Sequence, residues 1–204
     1  MPNKHAQRTQ VTHELLLRAA KTIFIRDGYE GAELGEIAAL AGRTKGAIYA
    51  HFKSKEDIFL ALIEERRAMS RAQMEVLLAG STSTEQNRAT FRSFCLEMVE
   101  DPEWPLLLLE FKLFAMRHPE SKARLEEFDS ASYPGDPEKR FSELLGHAKR
   151  GKNSLSRSAA VKTLMPLLSA LAVESRFAPT LLDAATRRKV AERIFDALVP
   201  TQPD

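Results

Sequence analysis

Apolar residues recur along this chain with a period near 3.6, and no sustained run alternates with a period of two. Residues 12–26 place Leu16, Ala19, Ala20, Ile23 and Phe24 on one stripe, which Asp27-Gly28 breaks. Ile37, Ala38 and Ala41 make a shorter stripe ended by Gly42, and Thr44 stands where it can cap a third helix with Ile48 and Phe52 on one face. Ser54 can cap a fourth, with Glu56 and Asp57 in its first turn, reading through Ile58 and Leu62 toward Leu78. After a Ser/Thr-rich break at 80–84, a fifth helix runs to about Glu100 with Phe91, Phe94, Cys95 and Met98 inward. Asp101-Pro102 opens a sixth over 103–117, which His118-Pro119 ends. Further helical patterns cover 120–128, 138–149, 157–177 and 182–198, with Pro166 expected to kink the second last. Residues 129–137 read as a loop, because Pro134, Gly135 and Pro137 cannot all sit inside a helix. The expected fold is all-α, with about nine or ten helices and no repeat.

Composition agrees with that pattern. Leu outnumbers Val plus Ile by 26 to 14, which favours helix over strand. At 204 residues the chain is long enough for one large domain or two small ones, and 44% hydrophobic with 28% charged residues argues against global disorder. A single cysteine, Cys95, excludes an internal disulfide framework and a cysteine-based zinc site within one chain. Residues 1–10 are polar, and the most apolar stretch, 104–116, is interrupted by Glu110 and Lys112, whereas a span needs roughly 20 apolar residues. The expectation is a soluble, cytoplasmic protein with no membrane partner.

The net charge of +2 conceals an asymmetry: residues 1–55 hold nine Lys+Arg against five Asp+Glu, and the remainder holds 21 against 23. A basic front of +4 on a body of −2 suits a phosphate-binding module. Three short helices within the first 52 residues, the last two joined by a Gly turn, match the plan of a helix-turn-helix. A helix entering a major groove about 12 Å wide needs small residues at close approach, and Gly46, Ala47 and Ala50 meet that need. Ile48 and Phe52 would anchor it, while Thr44, Ala47 and His51 share a face available to nucleic acid, ringed by Lys45, Lys53 and Lys55.

The segments Ala19-Ala20, Phe24 through Gly28-Tyr29, residues 37–42 and, above all, residues 45–57 (Lys-Gly-Ala-Ile-Tyr-Ala-His-Phe-Lys-Ser-Lys-Glu-Asp) resemble the DNA-binding domain of the TetR family of bacterial transcriptional regulators. The resemblance implies a DNA-binding domain at 1–55 (family-type domain about 9–69, motif 33–52) and an effector-binding and dimerisation domain at 56–204. It further implies that Thr44 caps the recognition helix and touches a phosphate, and that Lys45, Gly46 and Ala47 approach the groove. Tyr49, His51 and Lys55 would bind backbone phosphates, leaving base readout to Arg43, Lys45 and Ala47. Glu33 stands where the family usually caps its second helix with Ser or Thr, and Arg43 occupies a turn position that is usually apolar.

The same resemblance implies a ligand-responsive repressor, a homodimer on palindromic double-stranded operator DNA, associated with the nucleoid through that DNA. It implies no metal or resident cofactor, but a small organic effector. Phe94, Met98, Trp104, Leu107, Phe111, Phe114 and Tyr133 form a candidate pocket, with Glu110, Arg117 and His118 as polar candidates. The stripes Val161, Leu164, Leu168, Leu171 and Val190, Ile194, Leu198 could build a two-fold four-helix interface or close the chain's own core. An enzyme is the competing class, through Cys95 paired with a histidine. No His-Glu-x-x-His or Glu-x-x-His spacing appears, so a non-enzyme is expected.

Overall fold

Side-chain oxygens begin most of the helices in the computed structural model, which describes residues 4–131, 135–148 and 155–201. The ten helices among them are α1 (Lys4–Gly31), α2 (Leu34–Leu40), α3 (Lys45–His51), α4 (Lys55–Leu78), α5 (Thr84–Met98), α6 (Glu103–Arg117), α7 (Pro119–Ala131), α8 (Pro137–Leu145), α9 (Arg157–Glu174) and α10 (Ala184–Leu198). Thr44, Ser83, Asp136, Ser156 and Asp183 each accept an N–H two or three residues on, satisfying donors that a helix leaves open at its start. The described residues contain no strand, so the fold is all-α, a helix-turn-helix segment followed by a larger helical part. No helix among them is long and apolar enough to cross a membrane.

Several expected boundaries move. The first helix begins at Lys4 and reaches Gly31, but Gly28 inside it has φ 73° and ψ 175°, so the break expected at Asp27-Gly28 exists as a sharp change of course. The expected 129–137 loop is shorter: α7 continues to Ala131, and Pro137 is the first residue of α8, where its missing N–H costs nothing. Pro134 lies outside the described residues. Gly146, at φ 75°, stops α8 earlier than expected, and α9 ends at Glu174.

Two compact units divide the chain: Met1–Met69 with Leu107–Ser132, and Ser70–Leu106 with Tyr133–Asp204. In the first, α1 packs on α2 and α2 on α3. Leu16, Ile23, Phe24, Ile37, Ile48, Ile58 and Phe59 are fully buried there.

In the second unit α5 packs on α8 and α10, and α9 lies against α8 and α10. Its core gathers Phe91, Cys95, Leu96, Leu145, Val161, Leu164, Leu168 and Phe195. This corrects the reading of Val161, Leu164 and Leu168 as dimer contacts: burial against α5, α8 and α10 consumes their surface. Leu171, Ile194 and Leu198 are partly buried against the same core, and Val190 is half-buried. The outward side of α9 carries Thr163, Pro166, Leu167 and Ala170 instead. Cys95 is completely buried, and burial pushes its thiol up to about 12, so it is a protonated core residue, not an activated nucleophile.

Arg157 and Glu138 lock α8 to α9. Glu138 accepts the N–H groups of Arg157 (2.9 Å) and Ser158 (2.8 Å) at the start of α9. Arg157, itself buried, donates to the carbonyls of Gly146 (2.8 Å) and His147 (3.2 Å) just past the end of α8. The backbone bond from Ser158 is the main influence holding the Glu138 carboxyl at about 2, against an ordinary value of 4.5. The folded state therefore binds this proton less readily than the unfolded chain. The stabilisation is complete above the unfolded value and disappears as pH falls from 4.5 toward 2. Glu138→Ala is expected to cost about 2 kcal/mol at pH 7, a figure reduced for solvent access to the carboxylate. Urea denaturation of both proteins at pH 7 and pH 2.5 should find this difference largely gone at the lower pH.

Candidate nucleic-acid interface

The Gly turn and the Thr44 cap determine how α3 is presented. Gly42 adopts φ 64°, Arg43 N–H bonds to Ala38 O at 2.9 Å, and Thr44 Oγ1 accepts Ala47 N–H at 3.3 Å. Ile48 is fully buried and Phe52 nearly so, anchoring the inner side of α3 as the sequence spacing requires. Thr44, Lys45, Gly46, Tyr49 and Ala50 are exposed, Tyr49 at 54%, and form its outer side.

The other expected DNA residues are placed less openly. Ala47 is half-buried. His51 is also half-buried, its ring 5.8 Å from His13 and 6.2 Å from Phe52, while His13 lies 5.0 Å from Phe52. Burial first, and the neighbouring His13 second, lower the His51 pKa, so it is a neutral imidazole at pH 7. Arg43 is exposed and folds back along α1, donating to Gly42 O at 3.0 Å and Thr12 Oγ1 at 3.4 Å. There it borders a surface cleft of about 540 Å³ that Gln7, Arg8, Val11 and Thr12 also line.

Lys55 departs furthest from expectation. Its Nζ donates to the carbonyls of Glu30 (2.9 Å) and Ala32 (3.1 Å) and lies 5.1 Å above the Tyr29 ring. This ammonium closes the carboxyl end of α1, and its partial desolvation lowers its pKa. It is spent on the fold and not held out toward phosphate. At the start of α4, Lys53 N–H donates to Asp57 Oδ2 (2.9 Å) and Asp57 N–H donates to Ser54 Oγ (3.1 Å), a reciprocal cap. Desolvation alone would raise the Asp57 pKa, but the hydrogen bond and charge of Arg124 on α7, together with the bonds from Lys53 and Ser54, outweigh it, and the carboxyl sits below its ordinary range. Glu33 precedes α2 without a side-chain cap, as its identity suggested.

The candidate pocket residues do not form one group. Leu107 and Phe111 are buried in the first unit, where Phe111 stacks on Phe59 at 4.4 Å and meets Tyr29 edge-on at 4.7 Å. Phe114 packs on Tyr29 at 4.8 Å and on His118 at 4.0 Å. These three are core or core-edge residues, which corrects their assignment as a ligand lining. Phe94, Met98 and Trp104 are half-buried in the second unit, and Tyr133 lies outside the described residues. Glu110 accepts the Tyr29 N–H at 3.1 Å, His118 Nδ1 lies 3.7 Å from Glu120, and Arg117 is exposed. Nothing in the sequence pattern marks His13 or Thr12, and Glu110 stands out there only as a polar candidate for the pocket. His13 and Thr12 precede the apolar stripe of α1, and Glu110, which interrupts an apolar run, carries no local sign of its bond to Tyr29.

A short helix capped by Thr44, buried on one side and small, basic and hydroxylic on the other, defines the helix-turn-helix class of DNA-binding domain. Residues 16–62 match the family model described as "Bacterial regulatory proteins, tetR family". The match identifies this amino-terminal segment as a TetR-family DNA-binding domain. It is 44% identical over 64 residues to the HTH-type transcriptional regulator AcrR of Shigella flexneri, covering 31% of this chain and 30% of that one. Identity to the HTH-type transcriptional repressor AcnR of Corynebacterium efficiens is 31% over 118 residues, 56% of each chain. The matched segments thus span between about a third and about half of these relatives. The fold matches the transcriptional regulator FadR from Bacillus subtilis, solved in complex with stearoyl-CoA, with a TM-score of 0.66 over 93% of this chain and 99% of that one at 19% identity.

Lys55→Ala should lower stability by about 1–2 kcal/mol, because it removes the cap from the Glu30 and Ala32 carbonyls. Thr44→Ala should cost about 1 kcal/mol through the lost cap of α3. Thermal unfolding of the two variants checks both values. An unchanged midpoint for Lys55→Ala would place its ammonium elsewhere.

Proposed function

We propose that this protein is a sequence-specific, DNA-binding transcriptional regulator, a ligand-responsive repressor that acts in the cytoplasm as a homodimer on a palindromic operator. The observation that carries the reading is the outer side of α3, where Lys45, Gly46, Tyr49 and Ala50 are exposed behind a Thr44 cap. Gly46 and Ala50 let the backbone approach a major groove closely. Tyr49 offers a phenolic donor and Lys45 a charge to backbone phosphates, which set position without reading sequence. Arg43, once it leaves Thr12 and Gly42, has the reach and the planar donor fork for a guanine edge, with Lys45 and the Ala47 methyl completing the readout.

A dimer would set two copies of α3 about 34–36 Å apart, in successive major grooves. The surface we assign to it is the outward side of α9, with Leu167 at 44% exposure beside Thr163, Pro166 and Ala170, together with the half-buried Val190, Ile194 and Leu198 of α10. The half-buried apolar side chains Phe94, Met98 and Trp104 of the second unit are the residues we assign to a small organic effector, which would act by shifting the population of DNA-competent protein.

Selection of duplexes from a random library, followed by titration at several salt concentrations, tests this reading. An enriched inverted repeat, bound with a steep salt dependence, is the expected result. Lys45→Ala should reduce the salt slope by about one, and Arg43→Ala should relax preference at one base position per half-site. Leu167→Asp should give a monomer in sedimentation equilibrium and weaken operator binding with it. Failure of the intact protein to enrich any duplex would overturn the proposal.

A further inference from the structure

The change of course in α1 is held from another helix. At Gly28, ψ of 175° turns the next peptide out of the helical path, and the Tyr29 N–H donates to Glu110 Oε2 of α6 at 3.1 Å. A Cβ on Gly28 would lie 2.5 Å from that same oxygen. Position 28 therefore favours glycine for its φ of 73°, and a Cβ there would push the carboxylate away from its place against the Tyr29 N–H. Beyond the turn, the Tyr29 ring is enclosed by Phe24, Phe59, Phe111 and Phe114, and the carbonyls of Glu30 and Ala32 accept the Lys55 ammonium. Residues 28–32 are thus fastened on one side to α6 and on the other to the first residue of α4, the helix that follows α3 after three residues.

We propose that Glu110 is a positioning residue for DNA binding: its carboxylate fixes the course of residues 28–32 and, through Lys55, the attitude of α3. Glu110 touches no DNA in this scheme and acts only through the Tyr29 amide. A backbone N–H bound to an ionised carboxylate is a strong, directional restraint, and the aromatic shell around Tyr29 keeps water from competing with it. The inference rests on the DNA-binding reading above.

The test compares Glu110→Gln, which keeps an acceptor oxygen, with Glu110→Leu, which removes it. The readouts are amide hydrogen exchange at Tyr29 and affinity for two duplexes, one selected from a random library by the unaltered protein and one scrambled. Glu110→Leu should lose protection at Tyr29, and its preference for the selected over the scrambled duplex should fall about tenfold, the equivalent of one charge-assisted hydrogen bond. Glu110→Gln should recover protection and most of that preference. Because the ratio of two affinities is read, loss of a negative charge, which strengthens binding to both duplexes alike, does not imitate the effect. Should Glu110→Leu fail to fold by circular dichroism, Glu110→Ala is compared with Glu110→Gln in its place. A Leu or Ala variant with unprotected Tyr29 and an unchanged preference overturns the positioning role, as do Gln and Leu variants that are equally impaired. If the unaltered protein selects no duplex, the DNA-binding reading fails and this role fails with it, while exchange at Tyr29 still reports the bond.

Discussion

The turn at residues 28–32 is the constraint on which the rest of the first unit depends. The short turn that follows the break at Gly28 has an N–H at its start and carbonyls at its end without helical partners. Here the exposed N–H, on Tyr29, receives a carboxylate from α6, and the exposed carbonyls, of Glu30 and Ala32, receive an ammonium from α4. Each charge faces the end of the short turn that its sign favours. The Tyr29 ring between them meets Phe59 and Phe111 edge-on, so polar satisfaction and aromatic packing act on one residue. Glu56 and Asp57 then receive Arg124 from α7, at 3.2 Å and 2.5 Å, which ties the start of α4 to a further helix.

The second unit solves the same problem by the same means. Glu138 reaches the first N–H groups of α9, and Arg157 reaches the carbonyls just beyond α8. In both units an acidic side chain from one helix closes the amino end of another, and a basic side chain closes a carboxyl end. Such pairs are worth more than exposed ion pairs of equal length, because removing one partner leaves a buried backbone group unsatisfied. The α5–α10 contact combines both kinds: Arg88 donates to the Val199 carbonyl at the end of α10 at 2.6 Å, while Arg88 and Arg92 share the exposed Asp196 carboxylate.

Local chemistry was legible in the sequence, and distant pairing was not. Period-3.6 stripes located the helices, Thr44 and Ser54 were readable as caps, and Glu33 was readable as a cap position without a capping hydroxyl, because each acts within four residues of itself. Lys55 misled because a lysine beside a recognition helix resembles a phosphate contact, while its partners lie 23 and 25 residues earlier. Glu110 and Tyr29 are 81 residues apart, and nothing in either neighbourhood encodes the other. Leucine stripes carry a related ambiguity: periodicity establishes that Val161, Leu164 and Leu168 are buried but not by what, and burial within one chain took them. Pro137 beside Pro134 and Gly135 reads as a breaker, yet a proline directly after an aspartate serves equally well to open a helix.

These substitutions of role leave the outer side of α3 short of charge. With Lys55 closing α1 and His51 neutral against His13, the exposed cations nearest the recognition helix are Arg43, Lys45 and Lys53. In the proposed homodimer on a palindromic operator, so few local phosphate contacts would leave affinity to the duplicated half-sites and selectivity to geometry. Doubling the contacts by symmetry helps only if both copies of α3 keep one fixed attitude, since an unlocked helix loses the second half-site's contribution. The fastening of residues 28–32 on two sides has a physical purpose in that setting. Side chains that could have contacted phosphate are used to hold still the few that remain.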